Sequence, residues 1–191
     1  MLRHAKAASD SPDSTDHARP LTKRGRAQGE AAARYVRELH DEGVRLPHLV
    51  LTSSAVRARQ TADLVLPALG TEVTLEVERD LYEADADDII GRLRELDDVA
   101  GSYEVEGSET TGTATTGQEG TTGKSPDSVM VVGHNPAFGD LVDLLVSQED
   151  GEGRSKLGSF PTCALAHIEL PVSSWSELEG GIGRLERLFV P

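Results

Sequence analysis

The chain has 191 residues, of which 19 are basic and 33 acidic, giving a formal charge of −14. Such a balance repels nucleic acid and anionic membranes over most of the surface, so neither is expected as a partner. One α/β domain of this length can bury a stabilising core without staples, and the single cysteine, Cys163, excludes an internal disulfide.

The hydrophobic fraction of 37% is low for a compact fold, but one polar segment dilutes it. Cys163 has apolar neighbours and reads as a buried thiol rather than a nucleophile. No CxxC or HExxH spacing occurs, so no metal or cofactor is implied by motif. The apolar runs are only a few residues long and no signal peptide precedes Arg3, which makes a cytoplasmic protein the expectation.

In chain order, a first strand ending at Arg3-His4 has only Met1 and Leu2 before it, against a usual length of roughly 5 to 6 residues; either it is a stub or it begins upstream. Residues 9–19, rich in Ser, Asp, Thr and Pro, read as a surface loop. Thr22 is then a plausible N-cap for a helix running to about Glu42, with Gly43 ending it and Ala27, Ala31, Tyr35 and Leu39 as its inward stripe. The apolar run 48–52, bounded by Pro47 and Ser53-Ser54, predicts a strand buried on both faces. Ser54 is expected to cap a helix over 55–69. A third strand follows over 72–77, and then an acidic-started helix over 85–96 with Ile89, Ile90, Leu93 and Leu96 facing inward.

Residues 101–128 are Gly, Thr, Ser and Glu with almost no apolar side chain, and read as a disordered insertion. A buried strand over 129–132 is followed by a helix over 137–146 carrying Phe138, Leu141, Leu144 and Leu145. A polar loop over 147–160 leads to strands over 163–170 and 184–190. The alternation of strand and helix predicts a single three-layer α/β/α domain over 1–191 with a mostly parallel central sheet.

Two apolar runs are each followed by a histidine: Leu2-Arg3-His4 at the start, and Gly133-His134-Asn135-Pro136 some 130 residues later. A parallel sheet delivers such strand-end residues to one edge. Guanidinium forks match phosphate oxygens, and imidazole can be nucleophile or donor, so their convergence points to a phosphoryl pocket.

These pieces resemble the histidine phosphatase superfamily, which has a phosphoglycerate mutase-like fold. Within it the likeness is to the small SixA-type phosphohistidine phosphatases. It is carried by Leu2-Arg3-His4-Ala5-Lys6-Ala7, Arg19-Pro20-Leu21-Thr22, the stretch from Thr52-Ser53-Ser54-Ala55 through Arg57-Ala58-Arg59-Gln60-Thr61-Ala62, Val132-Gly133-His134-Asn135-Pro136 and Phe160-Pro161-Thr162-Cys163-Ala164. The resemblance implies that His4 is the nucleophile, passing through a phosphohistidine that water hydrolyses. It also implies that Arg3, Arg19 and Arg57 surround the phosphoryl oxygens and that His134 donates to them.

Arg59 competes with Arg57, but two residues on a helix point roughly 200° apart, and the family's spacing selects Arg57. Larger relatives use a carboxylic acid after the third strand, so Glu83, with Asp85 and Asp87 nearby, is the candidate proton donor; SixA-type members lack a clear equivalent. Helical insertions that roof the pocket in sugar-phosphate-handling relatives are missing after Tyr82, which favours a phosphorylated protein side chain as substrate. The leading expectation is a metal-independent phosphatase acting on phosphohistidine of a partner protein. The alternatives are a phosphatase of small phosphoesters, if Glu83 is essential, or a phosphate-binding interaction domain with weak activity, prompted by the short first strand.

Overall fold

The computed structural model describes residues 1–11, 13–99, 125–147 and 160–191. A six-stranded sheet runs through it in the order β3-β2-β4-β1-β5-β6. The strands are β1 (Leu2–Arg3), β2 (Leu49–Ser53), β3 (Thr74–Glu78), β4 (Val129–Gly133), β5 (Leu165–Glu169) and β6 (Arg184–Phe189). The first four pair in parallel; β5 runs antiparallel to both of its neighbours.

The central strands read as continuous apolar runs because each face of the sheet is covered. Val50, Met130 and Val132 point into one buried cluster, and Leu51 and Val131 into the other. Helices α1 (Lys23–Asp41) and α2 (Val56–Leu69) cover the first face; α3 (Ala86–Arg94), α4 (Leu96–Val99) and α5 (Ala137–Leu145) lie on the second. This is the expected three-layer arrangement.

Strand β1 is two residues long and sits in the middle of the sheet. Leu2 is fully buried and pairs with Val132 on one side and Leu165 on the other. Backbone bonds from Arg3 N to Ala164 O (3.0 Å) and from His4 N to Gly133 O (2.9 Å) continue the pairing to the end of the strand. This two-residue strand is held by two longer neighbours, which supply its pairing on both sides.

Four local expectations change. The buried stripe of α1 is Gly25, Gly29, Ala32, Ala33, Val36 and Leu39, not Ala27, Ala31 and Tyr35 with Leu39; Ala27 is exposed. The stripe is rotated because glycines, which no apolar pattern counts, form its closest contact. A Cβ on Gly25 would lie 2.1 Å from the Lys6 carbonyl oxygen. Ser54 does not cap α2: Ala55 is the N-cap, without a side-chain bond, and the Ser54 hydroxyl bonds His17 Nε2 at 2.9 Å instead. Leu144 points outward, its place in the core taken by Val142. The helix expected over 85–96 breaks at Glu95 into α3 and α4, after starting with a capping box between Asp85 and Asp88. Thr22 does cap α1, accepting from Gly25 N at 2.9 Å.

Of the expected insertion, 101–124 lies outside the described residues, as does 148–159 of the polar loop. Residues 125–128 are held to the body, with Trp175 Nε1 donating to the Pro126 carbonyl (2.6 Å) and Arg45 paired with Asp127 (2.7 Å). Cys163 is buried, and burial pushes its thiol up to about 12. No described helix is long and apolar enough to cross a membrane.

Two glycines make a matched test of this packing. Gly25→Ala should destabilise the protein by about 1–3 kcal/mol or more, since backbone must move to admit the methyl. Gly91→Ala, in α3 with nothing within 4 Å of the added carbon, should stabilise it by roughly 0.5–1 kcal/mol. Urea titration of both variants measures the difference.

Candidate active site

The C-terminal ends of β1, β2 and β4 meet at one edge of the sheet. Register alone places Arg3 beside Gly133 and Thr52 beside Val132. His4 and His134, the next residues along β1 and β4, therefore stand side by side, with ring centroids 5.1 Å apart and planes tilted by 54°. Gly133 lets α5 fold back closely, because a Cβ there would meet the Phe138 ring at 2.8 Å. A cis bond joins Asn135 to Pro136 before α5 begins.

His4 Nδ1 lies 2.8 Å from the Ala5 carbonyl oxygen. A carbonyl only accepts, so Nδ1 carries the proton and Nε2 keeps its lone pair. Arg57 Nε donates to that Nε2 at 3.3 Å, in keeping with this tautomer. The backbone around His4 is itself anchored: Ala5 N donates to Thr61 Oγ1 (3.0 Å), whose hydroxyl donates to the Arg57 carbonyl (2.7 Å). His134 Nε2 lies 2.8 Å from Ser53 Oγ, while its Nδ1 is buried with no partner among the described residues.

Arg57 emerges from the first turn of α2 and is 5% exposed; Arg59, two residues on, is exposed. Asp16 organises the Arg57 guanidinium from the 9–19 loop. Its carbonyl accepts from NH1 (2.7 Å) and its carboxylate from NH2 (2.9 Å). The same carboxylate pairs with Arg19 NH2 at 2.5 Å and accepts from the Tyr82 hydroxyl at 2.8 Å. Tyr82 packs edge-on against both His17 and His134, with the Arg57 guanidinium carbon 5.7 Å from its ring centre. Arg19 also donates to the Ala8 carbonyl at 3.1 Å. Arg3 donates from NH1 to the Phe160 carbonyl (2.7 Å), to which Asn135 also donates (3.2 Å), and its Nε is buried without a partner among the described residues.

The pocket is cationic inside an acidic protein. Burial, reinforced by Arg57, Arg3 and Arg19 and opposed by the Ala5 bond, holds His4 down at about 4. Burial, reinforced by His4, Arg57 and Arg3 and opposed by Asp16, holds His134 at about 3. Both imidazoles are neutral near pH 7, so one can attack and the other can donate. The Tyr82 hydroxyl bond and the Arg57 charge hold Asp16 at about 2, so it is ionised near pH 7.

His4, His134, Arg3, Arg19 and Arg57 are thus placed around one end of the sheet. Glu83 is exposed and lines the adjacent groove with His17, Tyr82 and Asp87. No hydrogen bond or ion pair among the described residues joins it to the two histidines. Asp16, Ser53, His17 and Tyr82 were not singled out from the sequence as site residues. Asp16 and His17 lie in a loop whose composition signals only solvent, and loops carry no periodicity that would report a buried contact. Among the described residues, no group of three or more His, Cys, Asp or Glu side chains is placed to hold a metal ion.

A family model of the histidine phosphatase superfamily (branch 1) matches residues 1–131. The chain belongs to that superfamily. No curated protein matches it by sequence. Among solved structures, a SixA-type protein of Agrobacterium tumefaciens is 26% identical, with a TM-score of 0.64 over 100% of this chain and 95% of that one. A protein histidine phosphatase SixA complexed with tungstate is 25% identical, with a TM-score of 0.67 over 100% of this chain and 94% of that one. A mycobacterial glucosyl-3-phosphoglycerate phosphatase shares the fold at 19% identity, with a TM-score of 0.54 over 98% of this chain and 96% of that one. The fold is the phosphoglycerate mutase-like one of the SixA neighbours, and superfamily membership supports a phosphatase.

The depressed histidines make stability depend on pH. Their folded values of about 4 and about 3 lie below the ordinary value of 6.5, so the unfolded chain binds more protons as pH falls. Stability from this source is intact above pH 6.5 and is lost progressively on acidification towards about 4 and then about 3. Melting temperature should therefore drop more steeply below pH 6.5 in the wild type than in a His4→Gln, His134→Gln double variant.

Proposed function

We propose that the chain is a phosphatase with His4 as its nucleophile, acting on phosphohistidine of a partner protein. The observation that carries this reading is the His4 tautomer. With Nδ1–H tied to the Ala5 carbonyl, the Nε2 lone pair faces the Arg57 guanidinium at 3.3 Å, and the His134 ring centre lies 5.1 Å from that of His4. In the first step the Nε2 lone pair forms a bond to phosphorus while the bond from phosphorus to the substrate nitrogen breaks, its electron pair leaving with that nitrogen. Water then attacks the phosphorus of the His4 adduct and loses a proton to solvent, the P–Nε2 bond breaks, and its electrons return to the ring as the Nε2 lone pair. Arg3, Arg19, Arg57 and the free N–H of His134 offset the charge on the equatorial oxygens in both steps.

The leaving group distinguishes the substrate classes. An alkoxide needs a proton from a positioned acid, whereas imidazole leaves near neutral pH with a proton from water. Asp16 is the carboxyl group within the arginine cluster, and its partners keep it ionised, so it has no proton to give. Glu83 lies beside the pocket rather than in its hydrogen-bond network. This favours a phosphoramidate over a phosphoester. Tungstate, the tetrahedral oxyanion in the SixA complex, has the shape that such a pocket fits.

His4→Ala should abolish release of phosphate from an aryl phosphate. Arg57→Ala or His134→Ala should lower kcat roughly 10² to 10³-fold, the loss for one transition-state donor, and Arg59→Ala should be neutral. Equal release by wild type and His4→Ala would overturn the nucleophile assignment. A phosphohistidine peptide should be turned over with a higher kcat/KM than sugar phosphates, and Glu83→Gln should leave that activity unchanged. A preference for sugar phosphates, lost in Glu83→Gln, would favour the small-phosphoester reading instead.

A further inference from the structure

The two histidines of the pocket are held in different ways. His4 is oriented by a backbone carbonyl, His134 by the hydroxyl of Ser53, the last residue of β2. Ser53 is fully buried. Its Oγ has two visible partners: the Ala55 N–H, which donates to it at 3.3 Å, and His134 Nε2 at 2.8 Å.

A hydroxyl has one proton. The Ala55 amide can only donate, so it occupies a lone pair of Oγ. If His134 Nε2 also carried a proton, Oγ would accept twice and its own proton would be buried with no acceptor among the described residues, an arrangement that native interiors avoid. The remaining solution has Ser53 O–H donating to an unprotonated Nε2. The ring's single proton then sits on Nδ1, the atom that is buried and has no partner among the described residues.

We propose that Ser53 is a positioning residue that selects the Nδ1–H tautomer of His134 and thereby presents a donor to the phosphoryl oxygens. The opposite tautomer would turn a lone pair toward a phosphate dianion and repel it. Burial and the neighbouring guanidiniums keep the ring neutral, so tautomer choice, rather than protonation, decides what it offers the substrate. The kinetic part of the inference rests on the phosphatase reading above; the tautomer itself does not.

The decisive measurement is a long-range ¹H–¹⁵N correlation spectrum of protein labelled in its histidines, at pH 7, with His134 assigned by its loss in His134→Gln. The wild type should show a protonated Nδ1 and an unprotonated Nε2 at this ring. In Ser53→Ala the signals should move to the Nε2–H tautomer or a mixture, and kcat on an aryl phosphate should fall roughly 10- to 100-fold with KM little changed, as for other partners that orient a reactive imidazole. An Nε2–H tautomer in the wild type overturns the proposal, as does a Ser53→Ala protein that keeps either the tautomer or full kcat. Should Ser53→Ala fail to fold, the wild-type spectrum decides alone. A wild type that turns over no phosphoester or phosphoramidate would overturn the phosphatase reading and leave the tautomer result intact.

Discussion

Parallel register between β1 and β4 is the constraint on which the site depends. Pairing of Leu2 with Val132 and of Arg3 with Gly133 leaves residues 4 and 134 no choice but to emerge together. A slip of one residue would turn every side chain of β1 to the opposite face, carrying Leu2 out of the buried cluster it shares with Val50 and Val132. The hydrophobic preference that sets the register of the core therefore also sets the distance between the two imidazoles. This explains how a strand of two residues can serve at the centre of the sheet: its position is enforced by the neighbours on both sides, through Ala164, Leu165 and Gly133.

Around that edge the electrostatics run opposite to the rest of the molecule. A chain of formal charge −14 concentrates Arg3, Arg19 and Arg57 about two imidazoles. Guanidiniums stay charged where lysines could yield a proton, so they can be brought near one another and near buried rings without losing their function. They also make protonation of those rings unfavourable. Asp16 moderates the cluster: by bridging Arg57 and Arg19 it fixes the forks and offsets part of their mutual repulsion, at the expense of presenting one anion to a site that must bind another. Tyr82 closes the network by donating to the same carboxylate while its ring packs on His134.

Leaving-group preference and tautomer choice share a cause. In a pocket where the histidines are neutral and the carboxylate is ionised, the protons that matter sit on nitrogen, at His4 Nδ1 and at the remaining N–H of His134. Backbone and hydroxyl partners set where those protons lie, and both partners come from elements already fixed by the sheet: Ala5 lies two residues past β1, and Ser53 ends β2, in register with Glu78 of β3.

Much of this was legible in the residues alone. Short apolar runs over 48–52 and 129–132 announce strands covered on both faces, and Thr22 and Asp85 announce helix starts, because these signals are local and depend on period and capping chemistry. The convergence of Arg3, His4, Arg57 and His134 was readable for a similar reason: a parallel sheet turns strand ends into neighbours whatever their separation in sequence. The stripe of α1 was not legible, since Gly25 and Gly29 are buried by close approach of Lys6 and Leu64 rather than by their own hydrophobicity. Nor was the role of Ser54, drawn from capping by His17 across the loop. By itself the sequence determined the layers, the strand ends and the chemical types gathered there, which follow from pattern and chain connectivity. Only the tertiary structure decided which nitrogen of each imidazole is free, that Asp16 occupies the arginine forks and that Glu83 lies outside the pocket's hydrogen-bond network. Each of those depends on contacts between segments whose distance and orientation no local pattern encodes.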